Sequence, residues 1–145
     1  MIRLALSTDA QQLQALYIAL HPNDPLISAE DFQNAVNNIL ESSTHFIFVK
    51  EIDGRLVAPC FLNIIPNLTR GLRPYAVVEN VFTLSTFRKQ GHATKLLHVA
   101  FDKAKEFGCY KVMLMTGSKE VSTLHFYENA GFSKDVKTAF LYAIP

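Results

Sequence analysis

Apolar residues recur along the chain with two periods, and these periods predict helices and strands in turn. Spacings of three and four residues predict helices through residues 13–20, from 28 to 40, from 91 to 107 and from 118 to 131. Ser28 is expected to cap the second helix, and Gly108 and Gly131 to end the third and fourth in a left-handed conformation.

Segments rich in β-branched and aromatic residues predict six strands, at residues 2–6, 46–52, 56–65, 75–84, 112–115 and 139–144. Asp53 and Gly54 separate the second and third strands and predict a tight turn, so these two should pair antiparallel. The fourth segment is apolar on both faces, which predicts a central strand, but it carries Glu79 and Asn80 in its middle. The resulting order indicates an α/β (α+β) fold.

Length and charge narrow the classes of function. The 145 residues suit one domain, 1–145, and show no internal boundary. The net charge of +1 predicts no strong attraction to nucleic acid or to an anionic membrane, and no apolar stretch approaches the roughly 20 residues that span a bilayer. Cys60 and Cys109 have neither disulfide-framework nor zinc-site spacing, so we expect a cytoplasmic protein without a metal.

The most informative passage joins the fourth strand to the third helix through Gly91. A turn that delivers a strand to a helix N-terminus exposes unpaired backbone N–H groups, and the helix dipole adds positive charge there. These groups suit a phosphate or pyrophosphate. The sequence lacks the glycine patterns of a dinucleotide fold and of a P-loop, which disfavours nicotinamide dinucleotides and nucleoside triphosphates.

The same turn fits the pattern (Arg/Gln)-x-x-Gly-x-(Gly/Ala) at residues 88–93, and residues 123–132 contain Phe-Tyr-x-x-x-Gly-Phe. With these two motifs the chain resembles the GNAT family of N-acetyltransferases, and the order of its elements agrees over nearly the whole length. The resemblance implies an acyl-CoA N-acyltransferase fold. That fold has a mixed, mostly antiparallel sheet of six to seven strands, about four helices, and central strands 4 and 5 splayed apart.

The resemblance also implies acetyl-CoA as acetyl donor, no metal, and an amine of a small molecule as acceptor, attacked directly in a ternary complex. The turn would hold the pyrophosphate, the main chain of the fourth strand would bind the pantetheine arm, and residues after the fifth strand would lie beside the cofactor. The implied cofactor-binding residues are Val81, Phe82, Thr83, Arg88, Lys89, Gln90, Gly91, His92, Ala93, Thr94, Ser122 and Thr123. Relatives often carry Asn where Ser122 and Thr123 stand.

Four further residues are candidates for catalysis and acceptor binding. Tyr127 matches the position of the family's general acid, which gives a proton to the departing thiolate, although its spacing from Leu124 also fits a core tyrosine. Glu79 could accept the ammonium proton or hold loop backbone. Asn80 and Arg73 are candidates for substrate binding. The alternative for Asn80 is a strand-capping amide, and the alternative for Arg73 is a place in a solvated loop.

Two other functions remain compatible with the same motifs. One is a non-catalytic module that binds and senses acyl-CoA, since Glu79 and Tyr127 could both be structural. The other is acetylation of a protein or peptide, which the absence of acidic runs for docking basic tails makes less attractive. A homodimer is expected by analogy only.

Overall fold

The computed structural model describes all residues, 1–145, and contains five strands and four α-helices. In chain order they are β1 (Ile2–Leu4), α1 (Ala10–Leu20), α2 (Ala29–Leu40), β2 (His45–Ile52), β3 (Arg55–Ile65), β4 (Tyr75–Glu79), α3 (His92–Glu106), β5 (Val112–Met113) and α4 (Val121–Ala130). The predicted α/β (α+β) class is confirmed.

The strands form one sheet in the order β1-β2-β3-β4-β5. All neighbours are antiparallel except β4 and β5, which run parallel with Ala76 opposite Val112 and Val77 opposite Met113. The sheet is therefore mixed and mostly antiparallel, as predicted. The predicted count of six to seven strands is wrong, because the sheet has five.

Local signals placed most element ends correctly. Asp53 and Gly54 take positive φ angles of 48° and 78° and close the β2–β3 hairpin. The hydroxyl of Ser28 accepts a hydrogen bond from the Asp31 amide at 3.0 Å, which caps α2. Gly108 and Gly131 follow α3 and α4 with positive φ, as a left-handed helix end requires.

Two hydrophobic clusters hold the helices against opposite faces of the sheet. On one face, Leu96 and Leu97 of α3 are fully buried against β3 and β4. On the other, Leu13 and Leu16 of α1 and Val36 of α2 pack on β2 and β3. The sheet thus supplies a rigid base from which the loops after β4 and β5 extend.

The fourth strand ends earlier than predicted, at Glu79 rather than Leu84. Asn80 takes a positive φ of 54°, which interrupts the regular ladder. The chain nevertheless follows β3, because the amides of Phe82 and Leu84 donate to Pro59 at 3.5 Å and Val57 at 3.0 Å. Their pairing is displaced by one residue from the Phe61–Glu79 pair, which is the effect of a β-bulge.

Three other predicted boundaries are wrong. Residues 139–144 form no strand; the fifth strand has two residues instead of four, and α4 begins at Val121. Ser118 accepts a hydrogen bond from the Glu120 amide at 3.3 Å but lies ahead of the helix start. β4 and β5 pair over only two positions, so the sheet opens on one side of the bulge.

Candidate active site

A cleft of about 630 Å³ lies between the chain that follows β4 and the start of helices α3 and α4. Its lining consists of Val81, Phe82, Thr83, Phe87, Arg88, Lys89, Gly91, His92, Ala93, Thr94, Ser122, Thr123, Phe126 and Tyr127. The structure therefore brings eleven of the twelve predicted cofactor residues and Tyr127 to one cavity. The remaining one, Gln90, lies beside it and contacts the ring of His92, with 3.3 Å between Oε1 and Nε2.

A row of unpaired backbone amides forms one end of this cleft. The amides of Phe87 and Arg88 donate to the preceding 3-10 turn, and the first helical bond of α3 runs from the Lys95 amide to the Gly91 carbonyl at 3.1 Å. The amides of residues 89–94 have no acceptor within the chain. Positive φ angles of 61° at Lys89 and 75° at Gly91 turn the backbone into the helix. Such a turn at a helix N-terminus is an anion site.

Side chains around the turn fix its shape and add positive charge. The Arg88 Nε donates to the Thr83 carbonyl at 3.0 Å, and its guanidinium lies 5.7 Å from the centre of the Phe82 ring. Arg88 therefore ties the turn to the chain that follows β4. His92 has a lowered pKa because of its desolvation and the nearby Lys50 and Lys95, so a neutral imidazole borders the cleft.

The bulge leaves one backbone edge free in residues 81–84, the segment that continues beyond β4. The amides of Phe82 and Leu84 point to β3, so the intervening groups of Val81 and Thr83 point the opposite way, towards the cleft. Neither the Val81 nor the Thr83 amide donates within the chain. An extended ligand with amide groups can therefore pair with this edge as an added strand.

Tyr127 lies on α4 at the other end of the lining, among aromatic neighbours. Its ring centre is 4.9 Å from that of Phe126 and 6.1 Å from that of Phe132. Burial raises the pKa of Tyr127, with smaller contributions from Cys60 and Glu79. The phenol is therefore protonated at neutral pH and can donate a hydrogen bond into the cleft.

Glu79 and Asn80 lie beside the cleft rather than in its lining. Glu79 is the last residue of β4 and points to the opposite face from Val78, which is buried against α3. Its charge makes the smallest of the three contributions to the raised pKa of Tyr127, after burial and Cys60. Asn80 supplies the positive φ of the bulge.

Arg73 is placed away from the other candidates. Its guanidinium donates to the carbonyls of Gly108 at 3.1 Å and Cys109 at 3.0 Å, just after the end of α3. Cations at this end of a helix are favoured by the dipole. Arg73 thus clamps the backbone just after the end of α3 to the loop that precedes β4.

Sequence analysis missed Phe87 and Phe126, which add aromatic surface to the lining. Phe87 directly precedes the motif at residues 88–93 and could have been included on that ground. It also missed a smaller cavity of about 90 Å³ at the α1–α2 loop, which Tyr17, His21 and Phe32 help to line. Burial, and secondarily Cys60, raise the pKa of Tyr17.

The structure contains neither a metal-binding cluster nor a membrane-spanning helix. No group of three or more His, Cys, Asp or Glu side chains lies close enough together to hold a metal ion. None of the helices is long and apolar enough to cross a membrane.

A bulged central strand, a row of free amides at a helix start and a phenol that lines the same cleft define a protein of the acyl-CoA N-acyltransferase class. Comparison with known proteins agrees with this class. The family described as "Acetyltransferase (GNAT) family" matches residues 10–132. The chain belongs to this family, whose members are acetyl-CoA-dependent N-acetyltransferases.

Three relatives illustrate the similarity. An acetyltransferase structure from Agrobacterium tumefaciens str. C58 superposes with a TM-score of 0.93 and 37% identity over 99% of both chains. The aminoglycoside N(6')-acetyltransferase type 1 of Serratia marcescens is 27% identical over 87% of this chain and 86% of its own. The glucosamine 6-phosphate N-acetyltransferase of Trypanosoma brucei brucei is 34% identical over 59% of this chain, which spans 56% of that relative.

Proposed function

We propose that the protein transfers the acetyl group of acetyl-CoA to the primary amine of a small molecule, by direct attack in a ternary complex. The observation that carries this proposal is the continuity of one cleft, from the free amides of residues 89–94, past the open strand edge, to Tyr127. Pyrophosphate, pantetheine and thioester would occupy these three places in order.

Each predicted cofactor residue then has a task. The amides of residues 89–94 would donate to the pyrophosphate, and Arg88 and Lys89 would add charge at its edge. The main chain of Val81 and Thr83 would bond the amides of the pantetheine arm. Ser122 and Thr123 would contact the arm from the start of α4.

Transfer begins when the neutral amine attacks the thioester carbonyl carbon, forming a carbon–nitrogen bond and a tetrahedral oxyanion. Collapse of that intermediate breaks the carbon–sulfur bond, and the leaving sulfur takes the electron pair. Tyr127 would donate its phenolic hydrogen to this sulfur, and its raised pKa ensures that the proton is present. An exposed thiol has a pKa of about 8.5, which is below that of a phenol. We therefore expect the proton to move fully from Tyr127 to the leaving sulfur only when burial has raised the pKa of the thiol.

Glu79 would accept the proton that the amine loses, directly or through water, with Asn80 beside it for orientation. On this face of β4, Tyr75, Val77 and Glu79 are half-buried whereas Ala76 and Val78 on the other face are buried. The acceptor would therefore lie over this partly open face. Arg73 was predicted as a substrate ligand, but its hydrogen bonds support a structural role for it instead.

We also propose that residues 1–145 form one domain that acts in the cytoplasm. Both hydrophobic clusters pack on the same five-stranded sheet, which supports one folding unit. Both cysteines are free, as a reducing compartment favours.

Release of the coenzyme A thiol from acetyl-CoA tests the reaction on a panel of amines. Two relatives are named for amino-sugar substrates, so glucosamine 6-phosphate and an aminoglycoside head the panel, with a peptide α-amine beside them. We expect amine-dependent thiol release with at least one small amine. Binding of acetyl-CoA without release on any amine would favour the sensing module, and release on peptides alone would favour protein acetylation.

A further inference from the structure

Two basic side chains lie against aromatic rings at the end of the sheet where β4 begins. The Lys111 ammonium is 5.2 Å from the ring centres of both Tyr75 and Tyr110, and the Arg70 guanidinium is 5.8 Å from that of Tyr110. A cation is attracted to an aromatic face over such distances. We call these four residues the basic cluster.

Neither cation of the basic cluster has an anionic partner in the chain. None of the five ion pairs in the structure includes Arg70 or Lys111, and residues 55–78 and 107–118 contain no Asp or Glu. Lys111 is nevertheless half-buried. Partial burial of a charge costs free energy, which a hydrogen-bonded anion from outside the chain can offset.

The basic cluster shares one face of the sheet with Glu79. Side chains alternate along β4, so Tyr75 projects from the same face as Glu79. Lys111 precedes Val112, which pairs with Ala76 of β4, so Lys111 lies beside Tyr75. A strand rises about 3.3 Å per residue, which puts Tyr75 roughly 13 Å from Glu79 along β4. One face of the strand thus carries the candidate base and leads to the unpaired cations.

Arg73 supports the basic cluster without being one of its free cations. Its guanidinium already donates to the carbonyls of Gly108 and Cys109, which directly precede Tyr110. These bonds tie the segment that carries Tyr110 and Lys111 to the loop that precedes β4. The two rings are therefore fixed relative to one another before any ligand binds.

We propose that the acceptor amine carries an anionic group, a phosphate or a carboxylate, that binds Lys111 and Arg70 while the amine lies at Glu79. This inference rests on the proposed function and names the class of its acceptor. The amine and the anionic group would lie within roughly 13 Å of each other, the length of strand between Tyr75 and Glu79. The guanidinium and the ammonium can both donate charge-assisted hydrogen bonds to such an anion.

Binding of inorganic phosphate tests the site without requiring acetyl transfer. The protein is first saturated with coenzyme A, which occupies the turn into α3, and phosphate is then added at constant ionic strength while NMR follows the ring signals of Tyr75 and Tyr110. We expect saturable shifts in the unaltered protein, their loss in Lys111→Gln and their recovery in Lys111→Arg. Lys105→Gln is the matched control, because it removes an exposed lysine that pairs with Asp102, and it should keep the shifts.

Paired acceptors test the consequence for acetyl transfer. Thiol release is compared between glucosamine and glucosamine 6-phosphate, and between hexylamine and 6-aminohexanoate, so that phosphate and carboxylate are tested separately. We expect kcat/KM to be about 10- to 100-fold higher for the anionic member of at least one pair, the range for a hydrogen bond to a charged group. Lys111→Gln should lose this preference through KM, and Lys105→Gln should retain it.

The two experiments separate failure of this inference from failure of the proposed function. Thiol release with no saturable phosphate shift, with no preference for anionic members, or with a preference unchanged in Lys111→Gln would overturn the anionic acceptor and leave acetyl transfer intact. Lys111-dependent phosphate shifts without thiol release on any amine would refute the proposed transfer, and with it the assignment of the anion to an acceptor.

Discussion

At the scale of single residues, Tyr127 and Glu79 lie on opposite faces of the sheet. Tyr127 packs on the α3 side with Phe132, whereas Glu79 projects from the other face of β4. Glu79 nevertheless contributes to the raised pKa of Tyr127. In the proposed mechanism, the two faces separate an acid for the sulfur from a base for the nitrogen.

Replacing Tyr127→Phe removes the phenolic hydrogen and keeps the ring. We expect kcat to fall by about 10²- to 10³-fold, since a positioned acid contributes on this scale, while the KM for acetyl-CoA changes little. Steady-state kinetics with the most active amine measures both constants. Tyr142→Phe is the control, because Tyr142 is 85% exposed and lies outside the cleft lining. An unchanged kcat would remove Tyr127 from the mechanism.

Glu79→Gln tests the base. The amine is mostly protonated at low pH and needs a proton acceptor there, whereas at high pH it is already neutral. We therefore expect the variant to lose rate mainly at low pH, so that its kcat/KM profile rises at higher pH than that of the unaltered enzyme. Glu41→Gln, at the exposed end of α2, should leave the profile in place. Identical profiles for all three proteins would show that Glu79 is structural.

Many of the candidate site residues could be predicted from the sequence, because their arrangement depends on neighbouring residues. Arg88 and Gly91 belong to a short motif whose backbone shape depends on adjacent residues, and all of the predicted turn residues except Gln90 line one cleft. The hydrogen bonds of Arg73 could not be predicted, because its partners, Gly108 and Cys109, lie far along the chain. A charged loop residue has the same appearance in sequence whether it clamps a helix or contacts a ligand.

At the scale of elements, we expect the backbone conformation of the turn into α3 to decide cofactor binding. Gly91→Ala places a Cβ at a φ of 75°, which costs about 1–2 kcal/mol for a residue other than glycine. We expect the turn to shift and the melting rise with coenzyme A, roughly 5–10 °C at a hundred times the dissociation constant, to shrink. Thermal melts with and without ligand measure it.

Gly54→Ala provides the matched control for that experiment. Gly54 has a similar φ of 78° in the β2–β3 hairpin and, like Gly91, has open space around an added Cβ. Both variants should lose comparable stability without ligand. Only Gly91→Ala should lose the ligand-induced rise, and an equal rise in both would separate the turn from the cofactor.

The fourth strand shows why element boundaries were harder to predict. Apolar side chains continue to Leu84, so the side-chain pattern gives no sign that the regular strand pairing is interrupted at Asn80. The bulge depends on hydrogen bonds to Pro59 and Val57 on another strand. The resemblance to a family, rather than the periodicity, therefore predicted that strands 4 and 5 diverge.

At the scale of the whole molecule, one group of ion pairs joins β1 to β2 and to the segment that precedes α1. Arg3 donates to Asp9 at 2.6 Å and 3.0 Å and to Glu51 at 2.8 Å. Arg3, and then the Leu6 amide, lower the pKa of Asp9 against the opposing effect of burial. The folded state therefore binds this proton more weakly than the unfolded chain does.

This difference fixes the sign of a pH effect. Stability from Asp9 is present above the ordinary carboxyl pKa of about 4 and is lost as pH falls through the lower folded value. We expect Asp9→Asn to lower the free energy of unfolding at neutral pH by about 1–3 kcal/mol and to weaken its decline in acid. Urea unfolding at several pH values measures both. Asp102→Asn, which removes an exposed pair with Lys105, should change either little.

The sequence by itself determined the class of the fold, the hairpin at Asp53 and Gly54, the turn around Gly91 and the family, because each depends on neighbouring residues or on a short motif. Tertiary structure alone decided where β4 ends, that Arg73 donates to the carbonyls just after α3, and that Glu79 and Tyr127 lie on opposite faces of the sheet. It also left residues 139–144 without a strand to pair with. A β-strand exists only with a partner, and the identity and position of that partner are not encoded within the segment itself.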